Sequence, residues 1–181
     1  MKKTLGTMVA ILVMAILMGT FMTAKFSTAE EIARDGRFIA YGNGTVLDTK
    51  TNLMWAAKDN GSDINWANAK SYCENYRGGG YTDWRMPTQD ELAGLYDRSK
   101  RYYLKQEGFY IHLTEMIQLS DVWPWASETR GNEAASFCFR NASRHWELQS
   151  SATGFHFLRQ SKGSGVQGSG NFRALPVRSA K

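Results

Sequence analysis

The hydrophobic and polar positions after residue 30 follow two different periods, which predict short strands and two helices. Residues 37–41 and 45–48 are β-prone runs joined through Asn43-Gly44, a dipeptide that suits a two-residue type I′ turn. Residues 53–55 are typical of a short buried strand. We therefore expect a hairpin to open the domain, followed closely by a third strand.

Helical spacing replaces the alternation after residue 65. Asn65 is a natural N-cap, and the glycine run at residues 78–80 is a natural stop. Apolar or aromatic side chains recur at intervals of three and four residues, at Trp66, Ala69, Cys73 and Tyr76. This pattern predicts a first helix with one apolar face.

The start of a second helix is specified by its local chemistry. Pro87 breaks the preceding segment, Thr88 can cap, and Glu91 completes a capping box ahead of Leu92 and Leu95. Because each helix has only one apolar face, we expect both helices to lie on a sheet.

The remainder of the chain has weaker patterns. Residues 101–120 show no clean period and are predicted to be irregular, with a helical turn near Thr114, while the Gly/Ser-rich residues 162–171 are predicted to form a loop. Further strands are predicted at residues 122–127, 135–140, 145–148, 155–159 and 174–178. Strands on both sides of two helices predict an α+β domain with a largely antiparallel sheet.

The first 29 residues have the composition of an export signal. Lys2 and Lys3 precede the uncharged apolar residues 5–22, and small residues at 27–29 come before Glu30. The apolar run approaches the ~20 residues of a membrane span, so an uncleaved anchor is the alternative to a cleaved signal peptide. We predict an exported protein, periplasmic, cell-surface or extracellular, with residues 30–181 forming one domain that contacts a membrane only through the preceding segment.

Charge is unevenly distributed once that segment is set aside. Without Lys2, Lys3 and Lys25 the chain keeps 19 of its 22 basic residues against 17 acidic ones, so the formal charge falls from +5 to +2. Residues 130–181 hold 8 basic and 2 acidic residues. The overall charge is thus no indication of nucleic-acid binding. The basic end either forms a surface for anionic polymers or is dispersed by the fold.

The two cysteines have two interpretations. Cys73 and Cys138 are 65 positions apart, and closing such a loop stabilises a chain by about 4 kcal/mol where the geometry permits a disulfide. An oxidising compartment favours that bond. The alternative is two buried free thiols.

Catalytic, metal and cofactor patterns are weak. His112, His145 and His156 lack metal-ligand spacing, so no metal site is predicted. The GxGxxG-like glycines at residues 163–168 have no βαβ context, and no cofactor is predicted. We expect a protein without enzymatic activity.

Several segments occur in a recognisable order. They are residues 42–49, residues 53–55, residues 66–73, the run from Gly79 through Trp84-Arg85-Met86-Pro87-Thr88 to Glu91-Leu92, residues 123–127 and residues 173–179. In this order they resemble the Lcl C-terminal domain family, a bacterial family of unknown function named after the end domain of a collagen-like surface adhesin. The central run is also similar to a signature of the formylglycine-generating-enzyme-like superfamily, which implies a C-type-lectin-like architecture.

A structural role explains this motif without catalysis. Trp55 and Trp84 would bury large rings, Arg85 belongs to the same run, Pro87 and Thr88 would fix the helix start, and Glu91 would close the cap. The resemblance is incomplete. Residues 175–178 lack the cysteine of many family members, and the copper-binding cysteine pair of true formylglycine-generating enzymes is unmatched. Their oxidase activity is therefore not expected here.

The remaining candidate chemistry is aromatic and basic. The chain has six tryptophans and eight tyrosines, more than a core of this size is expected to absorb, and rings flanked by arginine suit stacking on sugars or anchoring a protein. The candidate ligand-binding residues are Arg140, Arg144, Trp146, Arg159, Lys162 and Arg173. We expect a binding or adhesion module for an anionic glycan or for another envelope or extracellular protein. Alternatives are a self-assembling structural subunit and, third, an enzyme of the formylglycine-generating type.

Overall fold

The computed structural model describes residues 29–105, 108–156 and 168–180. Within these ranges the strands form two five-stranded sheets and a two-stranded hairpin. The strands are β1 Glu31–Asp35, β2 Phe38–Tyr41, β3 Thr45–Asp48, β4 Leu53–Ala56, β5 Tyr102–Leu104, β6 Phe109–Ile111, β7 Trp123–Arg130, β8 Glu133–Cys138, β9 Ser143–Leu148, β10 Thr153–His156, β11 Gly168–Arg173 and β12 Val177–Ser179. The helices are α1 Trp66–Asn75 and α2 Gln89–Leu95.

The first sheet has the order β1-β2-β3-β4-β12 and is antiparallel throughout. The predicted β2–β3 hairpin is present, but the predicted type I′ turn is wrong. Tyr41 pairs with Thr45, which leaves a three-residue loop, and only Gly44 in that loop has a positive φ, of 79°. A type I′ turn requires positive φ at both central residues. Strand β1, which precedes the hairpin, was not predicted.

The second sheet has the order β10-β11-β7-β8-β9, and its pairs are antiparallel except for β11 beside β7. Residues 168–171 were predicted to belong to a Gly/Ser-rich loop, yet they form part of β11, between β10 and β7. Sheet hydrogen bonds are made by the backbone, so pairing with β10 can hold this segment despite its low β-propensity. That part of the loop prediction is corrected.

Residues 101–120 contain more order than the sequence indicated. Strands β5 and β6 form a hairpin in which Tyr103 lies opposite Tyr110. Near Thr114 there is a single turn, closed by a hydrogen bond from the Ile117 N–H to the Thr114 carbonyl (3.2 Å), rather than a helix. Three-residue strands are too short for a period of two to be distinguished from chance.

Both helices begin as predicted. The Asn65 side chain accepts a hydrogen bond from the backbone N–H of Asn68 (2.9 Å) at the start of α1. At the start of α2, the Thr88 hydroxyl accepts from the Glu91 N–H (3.1 Å), and the Glu91 carboxylate accepts from the Thr88 N–H (2.8 Å). The capping box is therefore complete, and both helices pack against β7 of the second sheet.

One hydrophobic cluster joins the two sheets and the helices. Trp55 and Trp84 are buried, as predicted, and the Trp125 and Phe172 rings stack with their centroids 4.0 Å apart. The Trp125 indole N–H donates to the Ile64 carbonyl (2.9 Å), so this buried ring keeps its polar atom satisfied. The α+β prediction is confirmed, and the arrangement is compatible with the C-type-lectin-like architecture that the resemblance implies.

The predicted disulfide is not formed. Cys73 on α1 and Cys138 at the end of β8 are both buried free thiols. Burial raises the pKa of the Cys73 thiol to about 12. Burial also raises the pKa of the Cys138 thiol, which accepts hydrogen bonds from the backbone of Arg140 and Asn141 in the β8–β9 turn. The structure therefore agrees with the alternative interpretation of two buried free thiols.

Candidate functional site

The central sequence motif is built into the interior around Trp84. Its indole N–H donates to the Gly78 carbonyl (3.1 Å), and its ring meets the Tyr76 ring edge-on, with centroids 5.0 Å apart. The Tyr81 ring lies 6.4 Å away on another side. Only 3% of Trp84 is exposed. The glycine run after α1 thus supplies a backbone acceptor that completes a buried aromatic cluster.

Arg85 and Glu91 form the second part of the motif. Two guanidinium nitrogens of Arg85 donate to the two Glu91 carboxylate oxygens at 2.7 and 2.6 Å. The Arg85 backbone also exchanges two hydrogen bonds with Val177 (2.9 and 3.0 Å), which join the segment before α2 to the last strand. Burial raises the pKa of the Glu91 carboxyl, but the hydrogen bonds from Arg85 and Thr88 outweigh it, and the net pKa is lowered.

Replacing Glu91 with alanine is expected to reduce the free energy of unfolding at pH 7 by about 1–2 kcal/mol, because α2 loses half of its capping box. A lowered folded-state pKa contributes stability above the unfolded pKa, and this contribution disappears as the pH falls through the folded value. Urea denaturation at pH 7 and pH 3 should therefore show the difference from wild type narrowing at pH 3. A gap that stays constant would contradict a role for the ionised carboxylate.

Two of the predicted ligand-binding arginines are engaged within the protein. Arg173 is buried, and its guanidinium donates to Asp63 (2.8 Å) and to the Ser120 hydroxyl (2.6 Å). Arg144 forms an exposed ion pair with Asp90 (2.6 Å). The prediction that Arg173 belongs to a binding surface is wrong, because β11 turns it towards the acidic loop after β4.

The other predicted residues do not form one surface with these two. Arg140 is exposed, with its guanidinium carbon 4.7 Å from the centroid of the Phe109 ring. Trp146 is partly buried and is covered by Arg130 (4.4 Å). Arg159 and Lys162 lie outside the described residues, as do residues 1–28 of the predicted export segment 1–29. Within the described residues, the basic side chains of the C-terminal stretch are therefore dispersed by the fold and do not form one surface.

An aromatic surface that sequence analysis missed lies on the β5–β6 hairpin. Tyr103 and Tyr110 face outward and remain 49% and 47% exposed, with ring centroids 5.1 Å apart. The guanidinium carbon of Arg101 lies 4.5 Å from the centre of the Tyr110 ring. We call these three residues the tyrosine face. In the sequence, the only signal of this face is that each tyrosine occupies the outward position between two inward-facing neighbours. Strands of three residues are too short for this alternation to be recognised.

A groove of about 770 Å³ lies between the β1–β2 hairpin and the loops that flank the β5–β6 hairpin. This volume is within the range of ligand-binding clefts. Arg101 also lines the groove, so the groove and the tyrosine face adjoin at that residue. Among the residues of its walls are Ala33, Ala40, Ala57, Leu113 and Met116.

The model of the Lcl C-terminal domain matches residues 44–178, which is most of the chain. The chain belongs to the Lcl C-terminal domain family. The match begins inside the β2–β3 loop and ends in β12, so it includes both helices. No curated protein and no solved structure matches the chain.

In this Lcl C-terminal domain the motif residues support the fold. Trp84 closes an aromatic cluster, Arg85 and Glu91 pair, and Thr88 caps α2. The tyrosine face and most of the groove are formed by residues outside that motif. Within the described ranges, no group of three or more His, Cys, Asp or Glu side chains could hold a metal ion, and no helix there is long and apolar enough to cross a membrane.

Proposed function

We propose that the protein is an exported, non-enzymatic binding or adhesion module of the bacterial envelope, and that its tyrosine face recognises an anionic glycan. The observation that carries the proposal is the pair of half-exposed tyrosine rings with Arg101 against one of them. A monomeric protein has little structural reason to keep two large rings in water side by side.

The chemistry of the tyrosine face suits a sugar that bears carboxylate or sulfate. Tyrosine rings offer apolar faces and a polar hydroxyl at low entropic cost, because each side chain has only two rotatable bonds. A guanidinium beside them can bind an oxyanion through two parallel hydrogen bonds.

The test is retention of the purified protein on immobilised heparin and on a glycan array, at low and high salt. Replacing both Tyr103 and Tyr110 with alanine is expected to weaken binding about tenfold or more, which corresponds to about 1.4 kcal/mol. Replacing Arg101 with glutamine should weaken binding at low salt and flatten its salt dependence. Dissociation constants from interferometry would measure both effects.

Two control variants distinguish an effect of the tyrosine face from the effect of losing any exposed apolar side chain or any cation. Leu148→Ala removes an equally exposed side chain from β9, and Lys50→Gln removes a cation from the turn after β3. Both variants should bind as wild type does. Absence of retention on every anionic polymer would refute the glycan proposal. Concentration-dependent oligomers in light scattering that disappear in the tyrosine variant would instead favour the structural-subunit alternative.

A further inference from the structure

Tyr103 and Tyr110 are the most accessible of the eight tyrosines, all of which lie within the described residues. These two side chains are about half exposed. The other six are at least partly buried: Tyr41, Tyr72, Tyr76, Tyr81, Tyr96 and Tyr102. Each of the six tryptophans is buried or partly buried as well. The pair on the β5–β6 hairpin therefore presents the aromatic rings that an oxidant in solution meets first.

The hairpin also holds these two phenol rings side by side. Tyr103 on β5 lies directly opposite Tyr110 on β6, so the backbone register places both side chains on the same face. The ring centroids are 5.1 Å apart, and the ring planes are inclined at 57°. Exposed side chains rotate within nanoseconds. Small rotations of both rings therefore suffice to bring an edge of one ring against an edge of the other.

Tyr72 and Tyr76 on α1 form a second tyrosine pair that provides an internal comparison. Their ring centroids are 6.0 Å apart, and both side chains are partly buried. Packing of Tyr76 against Trp84, at 5.0 Å, restricts its rotation. Burial raises the pKa of both phenols, which disfavours the proton loss that accompanies oxidation of a phenol. Proximity is thus shared by the two pairs, whereas accessibility belongs to the hairpin pair.

We propose that Tyr103 and Tyr110 are an oxidative modification site, at which the two rings of one molecule are joined in a dityrosine cross-link. The oxidant is hydrogen peroxide, used by a haem peroxidase that takes one electron from each phenol. Formation of the bond in the cell rests on the proposed export, because an oxidising compartment outside the cytoplasm supplies such an oxidant. The reactivity of the pair in the purified protein does not depend on export.

The reaction balances without any other reactant. Each phenol gives one electron to the oxidised haem and its hydroxyl proton to water, which leaves two neutral phenoxyl radicals. The radicals combine through the carbons ortho to their hydroxyl groups, so that one carbon–carbon bond forms. The hydrogen on each of these carbons then moves as a proton to the phenol oxygen. In total the pair loses two electrons and two protons, which reduce one hydrogen peroxide to two waters.

The cross-link would fix the arrangement of the tyrosine face. Strands β5 and β6 have three residues each and pair with each other in a separate two-stranded sheet. Two-stranded hairpins are marginally stable on their own. A covalent bond between the central residues of the two strands would hold the hairpin closed and keep the two rings at one separation.

The test is treatment of the purified full protein with a haem peroxidase and hydrogen peroxide, at low protein concentration and without any glycan. We expect the blue fluorescence of dityrosine in a protein that remains monomeric, with a yield per molecule that does not fall on dilution. Trypsin cuts after Arg101, Lys105 and Arg130, so the bond should join peptide 102–105 to peptide 106–130. Mass spectrometry should find this joined pair two hydrogens lighter than the sum of its peptides.

Three variants identify the reacting rings. Tyr103→Phe and Tyr110→Phe each keep the ring and remove the phenol, so each should abolish the joined peptides and most of the fluorescence. The Tyr103 variant also excludes Tyr102, which lies in the same tryptic peptide. Tyr72→Phe, the matched change in the partly buried pair, should leave the yield unchanged.

Three results would overturn the proposal. They are the absence of dityrosine, a bond found only in covalent dimers, and full fluorescence in either hairpin variant. Because no glycan is present in the reaction, failure of the glycan proposal leaves this result unaffected. Failure of the cross-link, in turn, leaves heparin retention to be decided by its own variants.

Discussion

Replacing Arg173 with methionine is expected to destabilise the domain by about 3–5 kcal/mol, because removing one partner of a buried ionic cluster leaves a buried charge without compensation. The guanidinium lies between Asp63 (2.8 Å), the Ser120 hydroxyl (2.6 Å) and Asp59, which is 3.9 Å away and whose side chain is only 4% exposed. Burial already raises the pKa of the Asp59 carboxyl. Urea denaturation at pH 7 would measure the loss.

A matched arginine provides the control for this prediction. Arg144 forms an ion pair of similar length with Asp90, but that pair is exposed, so Arg144→Met should cost no more than about 1 kcal/mol. Adding Asp59→Asn to the Arg173 variant should recover part of the stability, since the unpaired charge is then removed. If Arg173→Met unfolds like the wild type but fails to bind heparin, the residue acts on a ligand and the structural interpretation fails.

Replacing Trp84 with alanine is expected to cost about 3–5 kcal/mol, the range measured for large aromatic side chains removed from cores. The ring is 3% exposed, meets Tyr76 edge-on, and donates its N–H to the Gly78 carbonyl. Trp84→Phe keeps most of the apolar area and loses the hydrogen bond, so its cost should be about 1–2 kcal/mol. Thermal and urea unfolding of both variants would test this order.

Trp146 is a less buried tryptophan whose replacement can be compared with that of Trp84. It is only partly buried and lies under Arg130, so Trp146→Ala should destabilise the domain clearly less than Trp84→Ala. Equal costs at the two positions would contradict the view that the family motif acts by burying Trp84. Heparin retention should be unchanged in Trp84→Phe, because the ring lies away from the tyrosine face.

Local chemistry explains which elements could be predicted. The Thr88–Glu91 capping box and the Asn65 cap depend on residues three positions apart, and both are present as expected. The hairpin formed by β2 and β3 depends on alternation over nearby residues in the same way, although the loop between them contains three residues rather than two. These elements depend on residues that are close together in the chain, so the sequence alone contains the information needed to predict them.

The candidate binding residues were harder to predict because burial depends on distant partners. Arg173 meets Ser120 and Asp63, which are 53 and 110 positions earlier in the chain, and this pairing turns a predicted surface residue into an interior one. Cys73 and Cys138 illustrate the same limit. Burial as two free thiols was one of the two interpretations of the sequence, and whether two thiols meet depends on how α1 packs against the second sheet.

The sequence by itself determined the family, the two capped helices, the early hairpin and the burial of Trp55 and Trp84, because each is encoded by local spacing or by a bulky apolar residue inside a specific motif. Only the tertiary structure decided which cations remain exposed, that Tyr103 and Tyr110 share one face, and that Ala33 and Ala40 leave a groove beside the edge of β1. The physical reason is that exposure and empty space are properties of neighbours brought together across the fold, and no single segment contains that information.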